Sequence, residues 1–452
     1  MAVLTSLYSG ISGLNANGAA LSVIGNNIAN VNTVGFKASR ASFADVLNQS
    51  FTGTAGTMQI GRGAYLSDVS SNFTQGSLEV TANGLDLGID GDGFFLVRDT
   101  AGTQFYTRAG QFSVDKEGLI VNNEGLSLQG YEADTAGNVS GTINDINIAS
   151  NTTAPNMTTG IQITSNLDSG VLPDADGFDL NNTSDTSHFS PVLSVYDSLG
   201  NEHLVSVYFT KVYEDTAGET GNYWQWNGVA DGIAGNEIMA RGYLQFDTTG
   251  AMVAEDVADM DLILTDPPGG TNPTGEEFPD PISGFNFAGG VTQNQSIAFD
   301  FGTGTASGGS GLDGTTQFGS PSGTLFQTQD GYSSGSLKSL SVNQNGIISG
   351  LYTNGQTRTV GQVALGKFNN PQGLIKMGKN LFAESFDSGQ VINGVPDDGG
   401  LGRVVSSSLE LSNVDLAEEF IKLITIQRGF QANSKVITTT DEMLSDLVNL
   451  KR

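Results

Sequence analysis

Two aspartate–glycine segments are the stretches of the chain whose residue types could bind a metal ion. Asp90-Gly91-Asp92-Gly93 begins like a calcium loop, but such a loop needs a bidentate acid at its twelfth position, which here is Ala101. Asp174-Ala175-Asp176-Gly177 has Asp185 at that position but no predicted helices beside it. We therefore interpret both segments as glycine turns and predict no metal site. A calcium site is the alternative, and the second segment supports it better than the first.

Two histidines and two tryptophans are the other side chains that could act chemically. His188 and His203 lie in a region rich in Ser and Asp, but no nucleophile-elbow pattern accompanies them, so ordinary strand or surface histidines are favoured over a hydrolase triad. Trp224 and Trp226 share one face of a predicted strand, which favours a packed core over sugar stacking. The sequence thus predicts no catalytic residue and no cofactor.

The composition excludes several classes of partner. The 452 residues include 48 acidic and 19 basic side chains, a formal net charge of −29. Such a chain repels nucleic acid and anionic lipid, so we predict that it binds neither nucleic acid nor membrane. The absence of cysteine removes disulfides, thiolate metal sites and thiol nucleophiles. Lys37 is the first basic residue, and no apolar run approaches a membrane span of about 20 residues. We therefore expect no secretory signal.

Heptad spacing of apolar residues predicts one helix at each end of the chain, each with a coiled-coil-like seam. The N-terminal seam consists of Leu7, Ile11, Leu14, Gly18, Leu21, Gly25 and Ile28. The C-terminal seam consists of Leu409, Leu416, Phe420, Leu423, Phe430, Ile437 and Leu444, with Asn413 or Asp415 as N-cap. We expect Gly18 and Gly25 to permit close helix approach where copies of the chain assemble. The two helices would pair with each other and with neighbouring copies; a simple hairpin inside one globular protein is the alternative.

Between the helices the pattern is that of β-strands. Gly91–Val97 and Gln104–Arg108 predict a hairpin, and Pro191–Tyr196 and His203–Phe209 predict further strands. Ser113–Ile120 has a counterpart in Ser341–Ile348, as if the two were equivalent hairpins of one domain. The segment between them is then an insertion. From Glu117 to Leu337 it contains 29 acidic residues and only two basic ones. We predict a mainly β protein with α-helical termini, in which nested, discontinuous β domains sit on a terminal helical pair.

Three groups of motifs resemble the family of bacterial flagellar rod and hook subunits. The opening Ser6–Asn15 and the following Asn26–Lys37 are similar to the start of these proteins. Ile89–Phe95 with Tyr106–Phe112 resembles their β domain. The end of the chain matches too, through Leu411–Phe420 and Gln427–Asn433. Within this family the large acidic insertion favours a hook subunit over a shorter rod subunit.

The resemblance implies a domain order and a structural role. The implied domains are a terminal helical domain (1–30 and 405–452), a linker (31–75 and 395–404), an inner β domain (76–149 and 326–394) and an acidic outer β domain (150–325). The implied function is a non-enzymatic subunit that polymerises with itself into a curved hollow tube, coupling rod to filament and transmitting torque as a universal joint. A distal-rod subunit and, more remotely, a secreted β-rich adhesin or carbohydrate enzyme are the alternatives.

The resemblance also implies partners and a route out of the cell. Expected partners are further copies of the chain, the distal rod protein, the hook–filament junction protein, the hook cap and the flagellar type III export apparatus. The chain would lie in the extracellular part of the flagellum and be exported without a cleaved signal peptide. Phe43 and Leu47 resemble the short Phe-x-x-x-apolar element of the family's export gate. An ordinary amphipathic turn is the alternative interpretation of this element.

Overall fold

A computed structural model gives the fold. It describes residues 2–46, 49–53, 56–134, 137–148, 152–173, 178–212, 222–230, 238–255, 285, 287 and 295–449. The described residues form two compact units. Unit 1 comprises Met1–Asn151, Leu337–Tyr352 and Gln356–Arg452, whereas unit 2 comprises Thr152–Ser336 and Thr353–Gly355.

Within the described residues, three α-helices and three short 3-10 turns interrupt a fold made mostly of strands. The helices are α1 (Ala2–Ala29), α2 (Thr183–Thr186) and α3 (Leu416–Asn449), and the 3-10 turns are Leu180–Asn182, Thr305–Ser307 and Pro371–Gly373. The first twelve strands are β1 (Ser39–Asp45), β2 (Gln49–Gly53), β3 (Gly56–Ile60), β4 (Ala64–Ser71), β5 (Leu78–Val80), β6 (Leu87–Asp90), β7 (Phe94–Arg98), β8 (Gln104–Thr107), β9 (Phe112–Val114), β10 (Ile120–Asn122), β11 (Ser127–Ala133) and β12 (Val139–Asp145).

The remaining strands follow in two groups. The next ten are β13 (Thr152–Thr153), β14 (Gly160–Asp168), β15 (Val192–Tyr196), β16 (Glu202–Val212), β17 (Asn222–Ala230), β18 (Ile238–Phe246), β19 (Met252–Glu255), β20 (Ala298–Asp300), β21 (Thr316–Phe318) and β22 (Gly323–Gln329). The last nine are β23 (Gly335–Val342), β24 (Ile347–Tyr352), β25 (Thr357–Val363), β26 (Leu365–Lys367), β27 (Ile375–Gly378), β28 (Leu381–Ala383), β29 (Ile392–Gly394), β30 (Arg403–Ser406) and β31 (Ser408–Glu410).

The β part of unit 1 is an antiparallel sheet with the strand order β23-β24-β25-β11-β7-β8-β28-β27. Strand β7 explains why the sequence has the continuous apolar run Phe94–Val97, because all four side chains are buried. Phe94 and Leu96 enter one hydrophobic cluster, and Phe95 and Val97 enter another. A strand that is covered on both faces has no polar alternation.

The two predicted equivalent hairpins are both present in unit 1 and are built alike. Strands β9 and β10 turn at Asp115, and strands β23 and β24 turn at Asn343. In each turn a glycine with positive φ, Gly118 (83°) or Gly346 (73°), donates its N–H to the carbonyl of the Asx residue. The carboxylate of Asp115 and the amide oxygen of Asn343 then accept the N–H four residues ahead. The prediction of two equivalent hairpins is confirmed.

Unit 2 contains a five-stranded antiparallel meander, β15-β16-β17-β18-β19, and a four-stranded sheet in which β14 pairs with β20, β21 and β22. Its core is aromatic. Trp224 is fully buried and Trp226 is 6% exposed. The Trp226 ring lies 5.0 Å from Phe301. The prediction that both tryptophans pack in a core rather than line a sugar site is confirmed.

Short two-stranded pairings connect the N-terminal segments of unit 1 to the returning C-terminal segment. Strand β30 pairs antiparallel with β6, and β31 pairs antiparallel with β5. Strands β1 and β4 form a separate antiparallel pair beside α1. These pairings place the residues that precede α3 alongside residues that follow α1.

Candidate assembly surface and the polar junction beside it

Helices α1 and α3 pack against each other at small residues, and the predicted seam residue Ile437 takes part in this contact. A Cβ atom added at Gly10 would lie 3.0 Å from Ile437 Cγ1, and one added at Gly13 would lie 2.5 Å from Asn433 Nδ2. From the opposite helix, a Cβ at Gly429 would lie 3.2 Å from Asn17 Nδ2. The nearest atoms at all three positions belong to side chains of the opposite helix, so a larger residue would require those side chains to move.

The glycines that the sequence predicted for close approach are open in the isolated chain. A Cβ added at Gly18 or at Gly25 would meet no atom within 4 Å. The buried stripe of α1 runs instead through Gly10, Ala20, Ile24 and Asn27. Gly18 and Gly25 therefore make no close approach within one chain, because the heptad seam and the buried stripe occupy adjacent faces of the helix; close approach between copies stays a prediction.

The N-terminal seam residues are incompletely covered. Five of the seven residues are half-buried, namely Leu7, Leu14, Gly18, Leu21 and Ile28, and the other two, Ile11 and Gly25, are exposed. Ile11 is 41% exposed. The apolar heptad lies on a face of α1 next to the face that contacts α3. Its side chains therefore leave apolar surface that another helix could cover.

The C-terminal seam divides into a covered and an uncovered part. Leu423, Ile437 and Leu444 are half-buried on the side of α3 that faces α1. Leu416 and Phe420 are 40% and 49% exposed. Phe430, also in the seam, is exposed as well. The seam is thus only partly used within the chain.

One seam residue lies outside the helix. Leu409 is in strand β31, opposite Glu79 of β5, so its prediction as a helical heptad position is wrong. The helix begins later because Asp415 caps it, its Oδ1 accepting the N–H of Ala417 at 2.8 Å. Asn413, the other cap candidate, instead donates from Nδ2 to the carbonyls of Asn72 and Thr74. The seven-residue spacing from Leu409 to Leu416 therefore does not reflect helical periodicity.

The uncovered part of α3 forms a continuous apolar stripe at its N-terminal end. Residues four apart lie on one face of a helix. Leu416, Phe420 and Ile424 have this spacing and are 40%, 49% and 50% exposed, with Ile421 beside them at 65%. We call these four residues the α3 stripe. The heptad pattern does not include Ile421 and Ile424. The apolar residues at 420, 421 and 424 could nevertheless have indicated a second apolar face on this helix.

A hydrogen-bonded group at the end of α1 joins both chain ends to β1. The side-chain amide of Asn27 donates to the carbonyl of Ser39 at 2.8 Å and accepts the Ser39 N–H at 2.9 Å. The same amide donates to Glu419 Oε2 at 3.2 Å. Lys422 Nζ donates to the other oxygen of that carboxylate at 2.9 Å. Asn27 therefore orients α3 relative to α1.

A second polar group of unit 1 is a buried ion cluster. Lys37 Nζ is 2.6 Å from Glu410 Oε1, and Arg108 Nη1 is 3.2 Å from Glu410 Oε2. The guanidinium also donates to the Gly91 carbonyl and lies over the Phe94 ring at 5.3 Å. Burial lowers the pKa of both Lys37 and Arg108, and the Glu410 carboxylate opposes that shift. We call Lys37, Arg108 and Glu410 the ion cluster.

No sequence pattern predicts the ion cluster. Its three members are single charged residues separated by up to 373 positions, and they belong to no periodic or spaced motif. Lys37 ends one of the family-like motifs and Arg108 lies within another, which is the one signal that the sequence offered.

The proposed export element is described only in part. Phe43 lies in strand β1 opposite Leu66 and is 44% exposed. It is therefore in a strand rather than in a turn. Leu47 lies outside the described residues, so the relation between the two side chains stays a prediction.

The residues considered for chemistry are engaged in local structure. His203 Nε2 lies 3.1 Å from the buried Asp197 carboxylate, and the ring stacks on Phe287 at 4.2 Å. His188 Nδ1 accepts the Lys211 N–H. Among the described residues, no group of three or more His, Asp or Glu side chains is placed to hold a metal ion. None of the described helices is both long and apolar enough to cross a membrane.

The two predicted glycine turns have different outcomes. In the first, Gly91 and Gly93 have φ of 116° and 132°, and the Asp90 carboxylate binds the Arg403 guanidinium at 2.7 Å. Asp90–Gly93 is therefore a glycine turn, as predicted, and it also carries an ion pair that the sequence did not predict. The second segment, 174–177, lies outside the described residues. Asp185, counted as its twelfth position, accepts a hydrogen bond from Asn182.

Four family descriptions match successive parts of the chain. Residues 7–37 match "Flagella basal body rod protein" and residues 405–450 match "Flagellar basal body rod FlgEFG protein C-terminal". Residues 88–166 match "Flagellar hook protein FlgE/F/G D1 domain", and residues 166–332 match "Flagellar basal body protein FlaE D2 domain".

Curated relatives are similar over nearly the whole chain. The flagellar hook protein FlgE of Borreliella burgdorferi is 37% identical over 99% of this chain and 100% of its own. That of Treponema pallidum is 34% identical over 100% of both chains, and that of Escherichia coli is 34% identical over 98% of both. The crystal structure of Helicobacter pylori flagellar hook protein FlgE2 covers 72% of this chain and 98% of its own, with a TM-score of 0.44 and 15% identity.

Proposed function

The chain belongs to the family of flagellar hook proteins and is a structural subunit of the hook, and from this premise we propose that copies of it polymerise into a curved hollow tube. The tube couples rod to filament and transmits torque as a universal joint. The relatives are structural hook proteins. By extension, we propose that this chain has no enzymatic activity, no catalytic residues and no cofactor.

The observation that carries the proposal is the exposed α3 stripe. Four large apolar side chains, each at least 40% exposed, follow one another on a helix whose other side already packs on α1. Isolated soluble chains rarely leave such a patch uncovered. Covering it with a helix of a neighbouring copy would bury apolar area worth roughly 25 cal/mol per Å². The half-buried heptad Leu7, Leu14, Leu21 and Ile28 of α1 supplies apolar surface of the kind that such a contact needs.

The division into domains is part of the proposal. Residues 1–30 with 405–452 would line the tube, 31–75 with 395–404 would link, 76–149 with 326–394 would form the inner β domain, and 150–325 would face outward. A compact unit between Thr152 and Ser336 supports the outer domain. With 24 acidic and two basic residues between 152 and 336, this domain would meet its neighbours through polar, hydrated contacts that slide as the bent tube rotates.

The partners and route follow from the family. The subunit would contact the distal rod protein at one end of the tube, the hook–filament junction protein at the other, and the hook cap during growth. It would leave the cell through the type III export apparatus without a cleaved signal peptide, with Phe43 and Leu47 as the element that the export gate binds. Its place would be the extracellular part of the flagellum, and it would bind neither nucleic acid nor membrane.

The test is polymerisation of the purified chain, followed by light scattering and electron microscopy. We expect Phe420→Ser combined with Ile424→Ser to abolish tube formation while leaving the fold intact by circular dichroism. The matched control is Leu325→Ser, which removes a 71% exposed leucine from unit 2 and should leave polymerisation unchanged. Equal polymerisation of both variants would contradict the proposed role of the α3 stripe. A wild-type chain that never polymerises would contradict the proposed function itself.

A further inference from the structure

The ion cluster holds two cations against one anion in a place closed to solvent. The side chains of Lys37 and Glu410 are 0% exposed and that of Arg108 is 4% exposed. Removing one partner of a buried ion pair leaves an uncompensated charge, which destabilises far more than the intact pair stabilises. Glu410 is the sole carboxylate that the described residues place within ion-pair distance of either cation.

Each member comes from a different segment of the chain. Lys37 follows α1, Arg108 follows β8, and Glu410 ends β31. Glu410 lies 373 residues after Lys37 and 302 residues after Arg108. A chain that still lacks its C-terminal segment therefore contains both cations and not the anion between them.

Glu410 also holds the segments that carry and flank Lys37. Its backbone carbonyl accepts the Gly35 N–H at 2.7 Å, and its Oε1 accepts the Gly76 N–H at 2.9 Å. Lys37 Nζ adds a hydrogen bond to the Thr74 carbonyl. Before Glu410 arrives, docking the segment around Lys37 would bring two like charges into a site from which water is excluded, and at low dielectric that repulsion is strong.

We propose that the ion cluster is a folding latch, in which Lys37 and Arg108 keep the N-terminal segment off the inner β strands until Glu410 arrives from near the C-terminus. The link to export rests on the proposed function, since a subunit exported unfolded benefits from a fold that cannot close before synthesis is complete. The latch itself is a property of the single chain.

The test measures how fast trypsin cuts the full-length chain after Arg40, three residues beyond Lys37, at neutral pH. We expect Glu410→Gln to leave both cations unbalanced and to speed this cleavage about 100-fold. Adding Lys37→Met to Glu410→Gln removes one cation and should restore most of the protection, although the Glu410 carboxylate is still missing. The matched control is Asp197→Asn, which removes a fully buried carboxylate from unit 2 and should leave Arg40 protected.

Restored protection in the double variant separates charge imbalance from simple loss of the hydrogen bond to Gly76. If Glu410→Gln stays protected, or if the double variant is cut as fast as the single one, the latch is overturned. If Glu410→Gln does not fold at all, a folded double variant supports the latch and an unfolded one overturns it. These cleavage rates do not depend on polymerisation, so failure of the wild-type chain to form tubes would leave them unchanged.

Discussion

Lys37 Nζ lies 2.6 Å from Glu410 Oε1, and neither side chain is exposed to solvent. The contact joins the segment after the first helix to the strand just before the last one. A buried ion pair is poor evidence for stability, because the desolvation of both charges offsets their attraction. The buried ion pair does determine which segments pack together, because displacing either partner would leave the other charge uncompensated.

The first prediction concerns the pH dependence of this contact. Burial lowers the pKa of Lys37 below its usual 10.5, so between the two values the unfolded chain binds more protons than the folded one. The free energy of unfolding should therefore rise with pH as 10.5 is approached from below. Lys37→Met should remove that rise. Urea unfolding of both proteins from pH 8 to pH 10 measures the difference; parallel curves would contradict the prediction.

Tyr106 should produce the opposite trend at higher pH. Burial, followed by the nearby Glu384 carboxylate, raises the pKa of Tyr106 from 10.0 to about 12. Its contribution to stability is complete below pH 10 and is lost as pH rises towards 12, by up to about 2–3 kcal/mol. Tyr106→Phe should flatten the loss in this interval. Tyr208→Phe, on unit 2, is the control and should keep it.

Gly110 should tolerate no side chain. A Cβ added there would lie 1.7 Å from the Leu87 carbonyl oxygen, a backbone atom that cannot rotate away. We expect Gly110→Ala to lower the free energy of unfolding by about 2–4 kcal/mol. Gly141→Ala, where an added Cβ meets nothing within 4 Å, should change it little. Denaturant unfolding compares the two, and equal stability would mean that the strands shift to make room.

Gly18 and Gly25 should matter between copies rather than within one. An added Cβ at either position meets no atom of the same chain, and alanine favours the helix by up to about 1 kcal/mol. Gly18→Ala with Gly25→Ala should therefore increase helix content while impairing polymerisation, if neighbouring helices approach at these positions. Circular dichroism and light scattering report the two effects. Unimpaired tube formation would remove these glycines from the proposed contact between copies.

Removing the outer domain should change the mechanics of the tube but not its existence. We expect a chain in which residues 152–336 are replaced by a short turn to polymerise into tubes of altered curvature or stiffness, because the α3 stripe is retained. Electron microscopy of wild-type and deleted tubes measures both properties. Loss of all assembly by a deleted chain that still folds would contradict the proposed division of roles.

Local sequence patterns predicted the terminal helices and the two similar hairpins at Asp115 and Asn343, and they offered Asp415 as one of two candidate caps, because each feature depends on residues close in sequence. They did not identify how the helices meet. The seam at Leu7 and Leu14 and the close contact at Gly10 are on adjacent faces, and only the packed structure distinguishes them.

The ion cluster and the hydrogen-bonded group at Asn27 could not be predicted from the sequence for a different reason. Their members are single polar residues whose partners lie hundreds of positions away, as with Asn27 and Glu419. A buried charged residue cannot be distinguished from an exposed one in the sequence. Its structural role can therefore be predicted only once its burial is known.

The long segment of unit 2 begins and ends at residues that pair with each other, Thr152 opposite Ser336 and Thr153 opposite Gly335. The chain therefore enters and leaves this unit at neighbouring points, about 5 Å apart. Such an insert can be exchanged as a unit, because a single recombination event could replace it with any domain whose ends lie close together. The rest of the chain would then have to span the same distance. Substitutions can thus change the surface of this unit while the two terminal helices remain unaltered.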